Sequence, residues 1–276
     1  MKLLLLGAAT IVAAATPAFA QDDGFTGVYV GGTFGYSVQN NDVGETIVFD
    51  RDLNGTFGDT VVTAAAGSPN AFSPGFCNGR ARTNAPAGQC ENDRDNVEYS
   101  ARIGFDQQYP GGMVLGVVLD AGKSRIRDSV SAYSTTPASY SMTRKIDWTA
   151  GLRLRAGYAA GNNTLFYATG GATYAKVEHS FRTTNALNAF EGRGKDDAWG
   201  FTAGGGVEQK LASNISMSLE YLYTRFKDDE YTVRATRGTS ATNNPFVLSG
   251  AGGTDFRRSD ENFDYHGIRT ALTFRF

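Results

Sequence analysis

The chain has 276 residues, 26 basic and 28 acidic, a formal net charge of −2, 34 glycines, 18 phenylalanines, 13 tyrosines and two cysteines. Such near-neutrality leaves no basic field for nucleic acid, and electrostatics names no partner. After Gln21 no window approaches the roughly 20 apolar residues of a membrane-spanning helix, so an α-helical membrane protein is excluded.

In chain order, Met1 to Ala20 has a basic start at Lys2, an apolar run from Leu3 to Ala15, a breaker at Pro17 and the small-residue tripeptide Ala18-Phe19-Ala20. It reads as a secretory signal peptide cut before Gln21, which leaves 21–276 as the mature chain. In an exported chain Cys77 and Cys90 are expected to form a disulfide. No histidine lies near them in sequence, so zinc is disfavoured.

The first strand is expected from Thr26 to about Gln39, with Val28, Val30, Phe34, Tyr36 and Val38 on one face and small residues on the other, interrupted by Tyr29. Polar, Gly-rich sequence without strong periodicity follows to about Asn96. Alternation resumes with Val97, Tyr99, Ala101, Ile103 and Phe105, then turns at Tyr109-Pro110-Gly111-Gly112 into Met113, Leu115, Val117, Leu119 and Ala121. Val114 and Val118 blur this third strand. Beyond a polar segment, Ile146, Trp148, Ala150, Leu152, Leu154 and Ala156 oppose Lys145, Asp147, Thr149, Gly151, Arg153 and Arg155. A short turn leads to Phe166, Ala168, Gly170, Ala172 and Tyr174, read as one outward face. Trp199 to Leu211 and Ile215 to Tyr223 follow, joined at Ala212-Ser213-Asn214, and the chain closes with His266, Ile268, Thr270, Leu272, Phe274 and Phe276 against Gly267, Arg269, Ala271, Thr273 and Arg275.

This makes about eight strands, with long connections (about 40–96, 126–144, 178–197 and 227–262) strictly alternating with short turns. The expected fold is all-β: an eight-stranded antiparallel transmembrane β-barrel with four long extracellular loops and short periplasmic turns. A soluble barrel would also alternate, with its apolar face inward. Three features favour the membrane. The strands are long enough to cross when tilted. Aromatics gather at strand ends, with Trp148 and Trp199 at the outer rim and Tyr109, Tyr158, Phe274 and Phe276 at the inner one, and Tyr174 is counted among the girdle residues. The other face holds Gly, Ser, Thr and isolated charges, as a packed lumen would.

Gly200-Phe201-Thr202-Ala203-Gly204-Gly205-Gly206-Val207-Glu208, the Asn214 turn and Ser218-Leu219-Glu220-Tyr221-Leu222-Tyr223 resemble the sixth and seventh strands of small outer-membrane barrels of the opacity-protein and OmpA-membrane-domain type. The likeness is nearest to porin-family surface antigens of alphaproteobacteria, and Tyr167-Ala168-Thr169-Gly170-Gly171 and Phe276 fit the same pattern. The resemblance implies that the closing aromatics, Phe274 and Phe276, are read by the outer-membrane assembly machinery. It also implies roles ranging over envelope integrity, small-solute leakage and host contact.

Arg102, Asp120, Arg153, Arg155, Glu208, Glu220, Arg269 and Arg275 fall on the lumen face and are expected to pair there, because an unpaired charge in so narrow an interior is costly. Strand direction places Arg102, Glu220 and Arg269 near mid-height and Arg153, Arg155 and Glu208 lower. The expected reading is a plugged core, with a thin ion path as its alternative. His179 and Ser180, with Glu178 and Glu191 nearby, suggest a lipid-modifying barrel enzyme, but adjacent strand residues point to opposite faces and cannot share a proton. His266 is read as a girdle residue. No enzyme, cofactor or metal site is expected, and no glycine spacing suits a nucleotide. The function expected is a structural surface protein of a Gram-negative outer membrane whose loops meet an external ligand and whose wall meets lipid. The alternative is a narrow passive porin.

Overall fold

The computed structural model describes residues 24–39 and 44–276; the leader expected at Met1 to Ala20 lies outside the described residues. Eight antiparallel strands close on themselves: β1 (Gly27–Gln39), β2 (Asn96–Gln108), β3 (Met113–Ser124), β4 (Ala138–Ala160), β5 (Thr164–Thr183), β6 (Asp197–Lys210), β7 (Ile215–Lys227) and β8 (Asn262–Arg275). Each pairs with its sequence neighbours, and β1 closes on β8 from Tyr29 opposite Arg275 to Gln39 opposite Tyr265. Closure leaves no open edge, which a hydrocarbon environment requires. Among the described residues there is no α-helix, and no helix is long and apolar enough to cross a membrane.

The side chains alternate as the period of two demands. Val30, Phe34, Ile103, Leu119, Leu152, Leu154, Phe166, Leu219, Ile268 and Leu272 are exposed on the outer wall, where a soluble protein would carry charge. Val114 and Val118 are buried on the other face; Val114 packs with Phe25, Ala159, Leu165 and Tyr167 at the end that carries both described termini.

One strand departs from the alternation read in the sequence. Lys176 pairs with Trp148 but Val177 pairs with Ile146, so Asp147 is an extra residue, a β-bulge. The bulge flips the phase of β4. Ile146, expected on the outward apolar face, is instead completely buried, packed with Ile126, Ala175, Val177, Ala198, Phe226, Phe263 and Tyr265 across the barrel mouth.

Above that layer the described parts of the long connections form further strands, where the sequence suggested polar excursions. β4 and β5 continue past the bulge as a hairpin extension from Ile146 opposite Val177 to Tyr140 opposite Thr183, and Arg127–Ser134 and Gly75–Asn78 add to the same sheet. A second sheet orders Ala189–Arg193, Thr232–Thr236, Gly253–Arg258 and Ile47–Asp50. The two bury Ile47, Phe49, Phe72, Val130, Tyr140, Met142, Val233, Phe246 and Phe256 in one core, with ring centroids 4.4 Å apart for Phe49 and Phe72 and 5.1 Å for Phe49 and Phe256. The result is a folded cap, to which all four long connections contribute.

Candidate functional site: the filled lumen and its cap

From the terminal end upward, the first polar layer centres on Asp106, which is completely buried. Arg155 and Arg275 donate to its Oδ2 at 3.2 and 3.0 Å, and both also hold Glu208. Tyr29, the residue that interrupted the small-residue face of β1, points inward beneath the Arg275 guanidinium, 4.8 Å from ring centroid to Cζ. It fits because β2 offers Gly104 there: a Cβ on that glycine would lie 2.3 Å from Tyr29 Cζ. On the same principle Tyr167 lies over Gly206, with Arg155 3.8 Å above its ring.

Next comes the layer organised by Glu220. Arg102 donates to both its oxygens at 2.9 and 2.7 Å, a planar two-point pairing, while Arg269 Nε donates at 2.8 Å and the Tyr167 hydroxyl at 2.6 Å. Asp120 extends the layer, accepting from Arg153 at 3.0 Å and Arg269 at 3.4 Å. Arg153 therefore sits with the mid-height set and not in the lower one with Arg155 and Glu208, where strand direction alone put it. Its register partner is Val118, and its long side chain reaches the diagonal neighbour Asp120 two residues further along β3. Asp106 and Glu98 are absent from the sequence-derived set, though both lie on the lumen face. With them the two charge layers and the cavity above them draw on five arginines (102, 153, 155, 269, 275) and five carboxylates (98, 106, 120, 208, 220) among the described residues.

A polar cavity of about 30 Å³ remains above, lined by Thr33, Glu98, Ser100, Thr173, Thr202 and Thr224, space for about two waters. It is roofed by Phe226, Phe263 and Tyr265. Over that roof lies a second charge cluster, which sequence reasoning missed because its members are far apart in the chain. Arg258 bridges Glu45 and Asp128 at 2.6 and 2.7 Å, and Arg144, wholly buried, donates to Asp128 at 2.6 Å and to the Asn262 carbonyl at 2.6 Å. Burial opposes the charge on Asp128, but the Arg258 and Arg144 guanidiniums outweigh it and hold the carboxyl below its usual range. Burial dominates at Glu45, which is pushed up.

His179 belongs to this cluster. Its Nε2 lies 2.9 Å from Asp228 Oδ1, and its ring stacks on Tyr231 at 4.5 Å. Ser180 is exposed on the opposite face of β5, Glu178 is held by Lys145 at 2.6 Å and Glu191 by Arg193 at 2.6 Å. The cavity beside His179 is about 10 Å³ and is lined by Asp228, Asp229, Tyr231, Arg257, Arg258 and Glu261.

Trp148, Tyr174 and Trp199 form a row on the outer wall with successive centroids 5.2 Å apart. His266 accompanies Tyr221, whose hydroxyl is 2.6 Å from Nδ1. Tyr109 and Tyr158 are exposed near the opposite end, where Phe274 and Phe276 lie edge to face at 4.9 Å. Cys77 and Cys90 form a disulfide, closing a 13-residue separation within the first connection. Asp50, Asp52 and Asp59 approach one another within 4.8 Å, but the oxygens of Asp50 and Asp59 accept backbone N–H groups of Asn54, Gly55 and Arg51, which makes the group part of a turn.

Residues 6–276 match the family described as outer membrane protein beta-barrel domain. The chain belongs to that family. It is 27% identical over 175 residues to the 31 kDa outer-membrane immunogenic protein of Brucella melitensis biotype 1, which covers 63% of this chain and 64% of that one. It is 30% identical over 146 residues to a 22 kDa outer membrane protein of Rhizobium leguminosarum bv. viciae, covering 52% and 60%. The chain thus spans somewhat less than two thirds of these relatives. Among solved structures it is similar to the outer membrane protein OprG of Pseudomonas aeruginosa, with a TM-score of 0.52 and 12% identity over 92% of this chain and 99% of that one, a likeness of fold alone. The protein is an outer-membrane β-barrel, with relatives named as outer-membrane proteins, the Brucella one as immunogenic.

Proposed function

We propose that this protein is a structural surface protein of a Gram-negative envelope, in which the barrel is an anchor and the cap, on the outside, is the part that meets other molecules. One observation carries the reading: among the described residues the lumen is filled in sequence by apolar residues around Phe25, two charge layers, the Phe226–Phe263–Tyr265 roof and the Arg144–Asp128–Arg258 cluster, with a polar cavity of about 30 Å³ beneath the roof. A barrel so packed offers solutes no path, whereas the cap offers an ordered surface.

The test is single-channel recording of the refolded mature protein in a planar bilayer beside Arg102→Ala and Glu220→Ala. The wild type is expected to be silent. Steady openings that change with those substitutions would replace this reading with a narrow porin. We further propose that Phe274 and Phe276 present β8 to the assembly machinery. Deleting Phe276 should lower the amount inserted in cells while leaving refolding in detergent unchanged; equal insertion would exclude that role.

A further inference from the structure

The disulfide-stapled hairpin brings positive charge to one side of the cap. Arg80–Ala81 pairs with Cys90–Glu91, and this small ribbon lies on the hairpin extension, where the Ala81 N–H donates to Ser131 Oγ at 2.9 Å and Ser141 Oγ at 3.3 Å. Between the ribbon and the upper end of β5 runs a groove of about 360 Å³, lined among others by Arg80, Arg82, Glu91, Ser139, Ser141 and Arg182. Three arginines face one carboxylate there, a formal balance of +2. That carboxylate is already engaged: Arg80 and Arg94 donate to Glu91 at 2.5 and 2.7 Å. Arg82 and Arg182 are exposed on the two walls and make no ion pair among the described residues, whereas Arg193, Arg234, Arg257 and Arg258 in the second sheet of the cap are all paired.

Two unpaired guanidiniums across a hydroxyl-lined groove are suited to tetrahedral oxyanions, which their planar forks grip at two points. The volume exceeds that of a single anion and falls in the range of sites that enclose a small organic ligand. We propose that this groove binds a sugar bearing phosphate or sulfate groups, with Arg82 and Arg182 each taking one anionic group and the Cys77–Cys90 bond holding the Arg82 wall in place. The assignment rests on the cap being the interacting part of the protein. Phosphorylated sugars of lipopolysaccharide in the same leaflet and sulfated glycans outside the cell share this chemistry.

The test is titration calorimetry on the full mature chain in lipid nanodiscs at low salt. The probes are a phosphorylated core oligosaccharide released from lipopolysaccharide, a sulfated heparin tetrasaccharide, and the dephosphorylated and desulfated forms of each. At least one charged probe should bind and its uncharged form should not, with the tighter of the two naming the source. Arg82→Ala and Arg182→Ala, both at exposed positions, should each weaken binding about tenfold, the loss of one charge-assisted pairing. No binding of either charged probe, or binding unchanged in both variants, would overturn the proposal. The Cys77→Ser/Cys90→Ser double variant should also bind more weakly; unchanged affinity would remove the disulfide from the site. None of these outcomes depends on conductance, so the groove can fail while the closed-lumen reading stands.

Discussion

The barrel and the cap solve the same problem with opposite materials. The barrel turns Leu, Ile, Val and Phe outward and packs arginines and carboxylates within, whereas the cap buries Phe49, Phe72, Tyr140, Phe246 and Phe256 and shows polar residues to water. In lipid there is no water to drive apolar groups inward, so the barrel's interior order comes from charge pairing and hydrogen bonds; in the cap it comes from apolar burial. The changeover occurs within single strands. β4 and β5 run through both regions, and the bulge at Asp147 is what lets one strand turn its apolar side to lipid below and to a core above.

Substitutions that act on one material and spare the other sharpen this contrast. The largest effect is expected for Glu220→Ala, which strips Arg102, Arg269 and Tyr167 of a shared partner. Leaving buried charge uncompensated costs about 3–5 kcal/mol, and the barrel should lose that much in urea unfolding from detergent micelles. A loss below about 1 kcal/mol would mean that the lumen charges do not order the barrel. Phe256→Ala should cost about 3 kcal/mol or more, localised to the cap. Protease should then cut the long connections while the barrel keeps its heat-modifiable migration on a gel, and simultaneous loss of both would make the two regions one cooperative unit. Reducing the Cys77–Cys90 bond should cost the cap about 3 kcal/mol by the loop-closure model, visible as a lower melting temperature of the cap alone.

A further effect is a dependence on pH. Burial, reinforced by the Asp128 carboxylate, pushes Asp93 up to about 7, and its Oδ1 accepts the Ser129 N–H at 2.7 Å. The folded state therefore holds this proton at pH values where the unfolded chain has released it, so the Asp93 contribution to stability falls as pH rises from about 4 to 7. Asp128 and Asp228, whose carboxyls are held low, run the other way and lose their contribution only in acid. Comparing wild type with Asp93→Asn isolates the term: the substitution should flatten the decline between about pH 5 and 7, and identical slopes would show that Asp93 does not titrate there.

The barrel was legible in the sequence because few architectures besides a membrane barrel repeat a period of two over eight strands with alternating long and short connections. Strand phase places lumen charges on the inner face, yet Glu98 and Asp106, in the same phase as Arg102, are absent from the sequence-derived set. Their layering was not legible: which arginine meets which carboxylate depends on strand stagger, as Arg153 shows by reaching Asp120. The inversion of Ile146 was hidden because one inserted residue leaves the local pattern intact while reversing its meaning. The cap was illegible for a different reason. Its apolar residues, such as Ile47, Phe72, Val130 and Phe256, come from separate connections far apart in the chain and alternate only over short stretches among glycine and asparagine. The signal present was the spacing of isolated aromatics, Phe49, Phe72, Phe181, Phe190, Phe246 and Phe256, in segments otherwise polar enough to be solvated.

The claim that the long connections form a folded unit with its own core is tested most directly by hydrogen exchange of the refolded protein in lipid nanodiscs. Amides of Phe49, Val130, Val233 and Phe256, each within a cap strand, should exchange orders of magnitude more slowly than those of an unstructured chain. Exchange at those four positions at the rate of a free peptide, beside protected barrel strands, would contradict the account and return the cap to four independent loops.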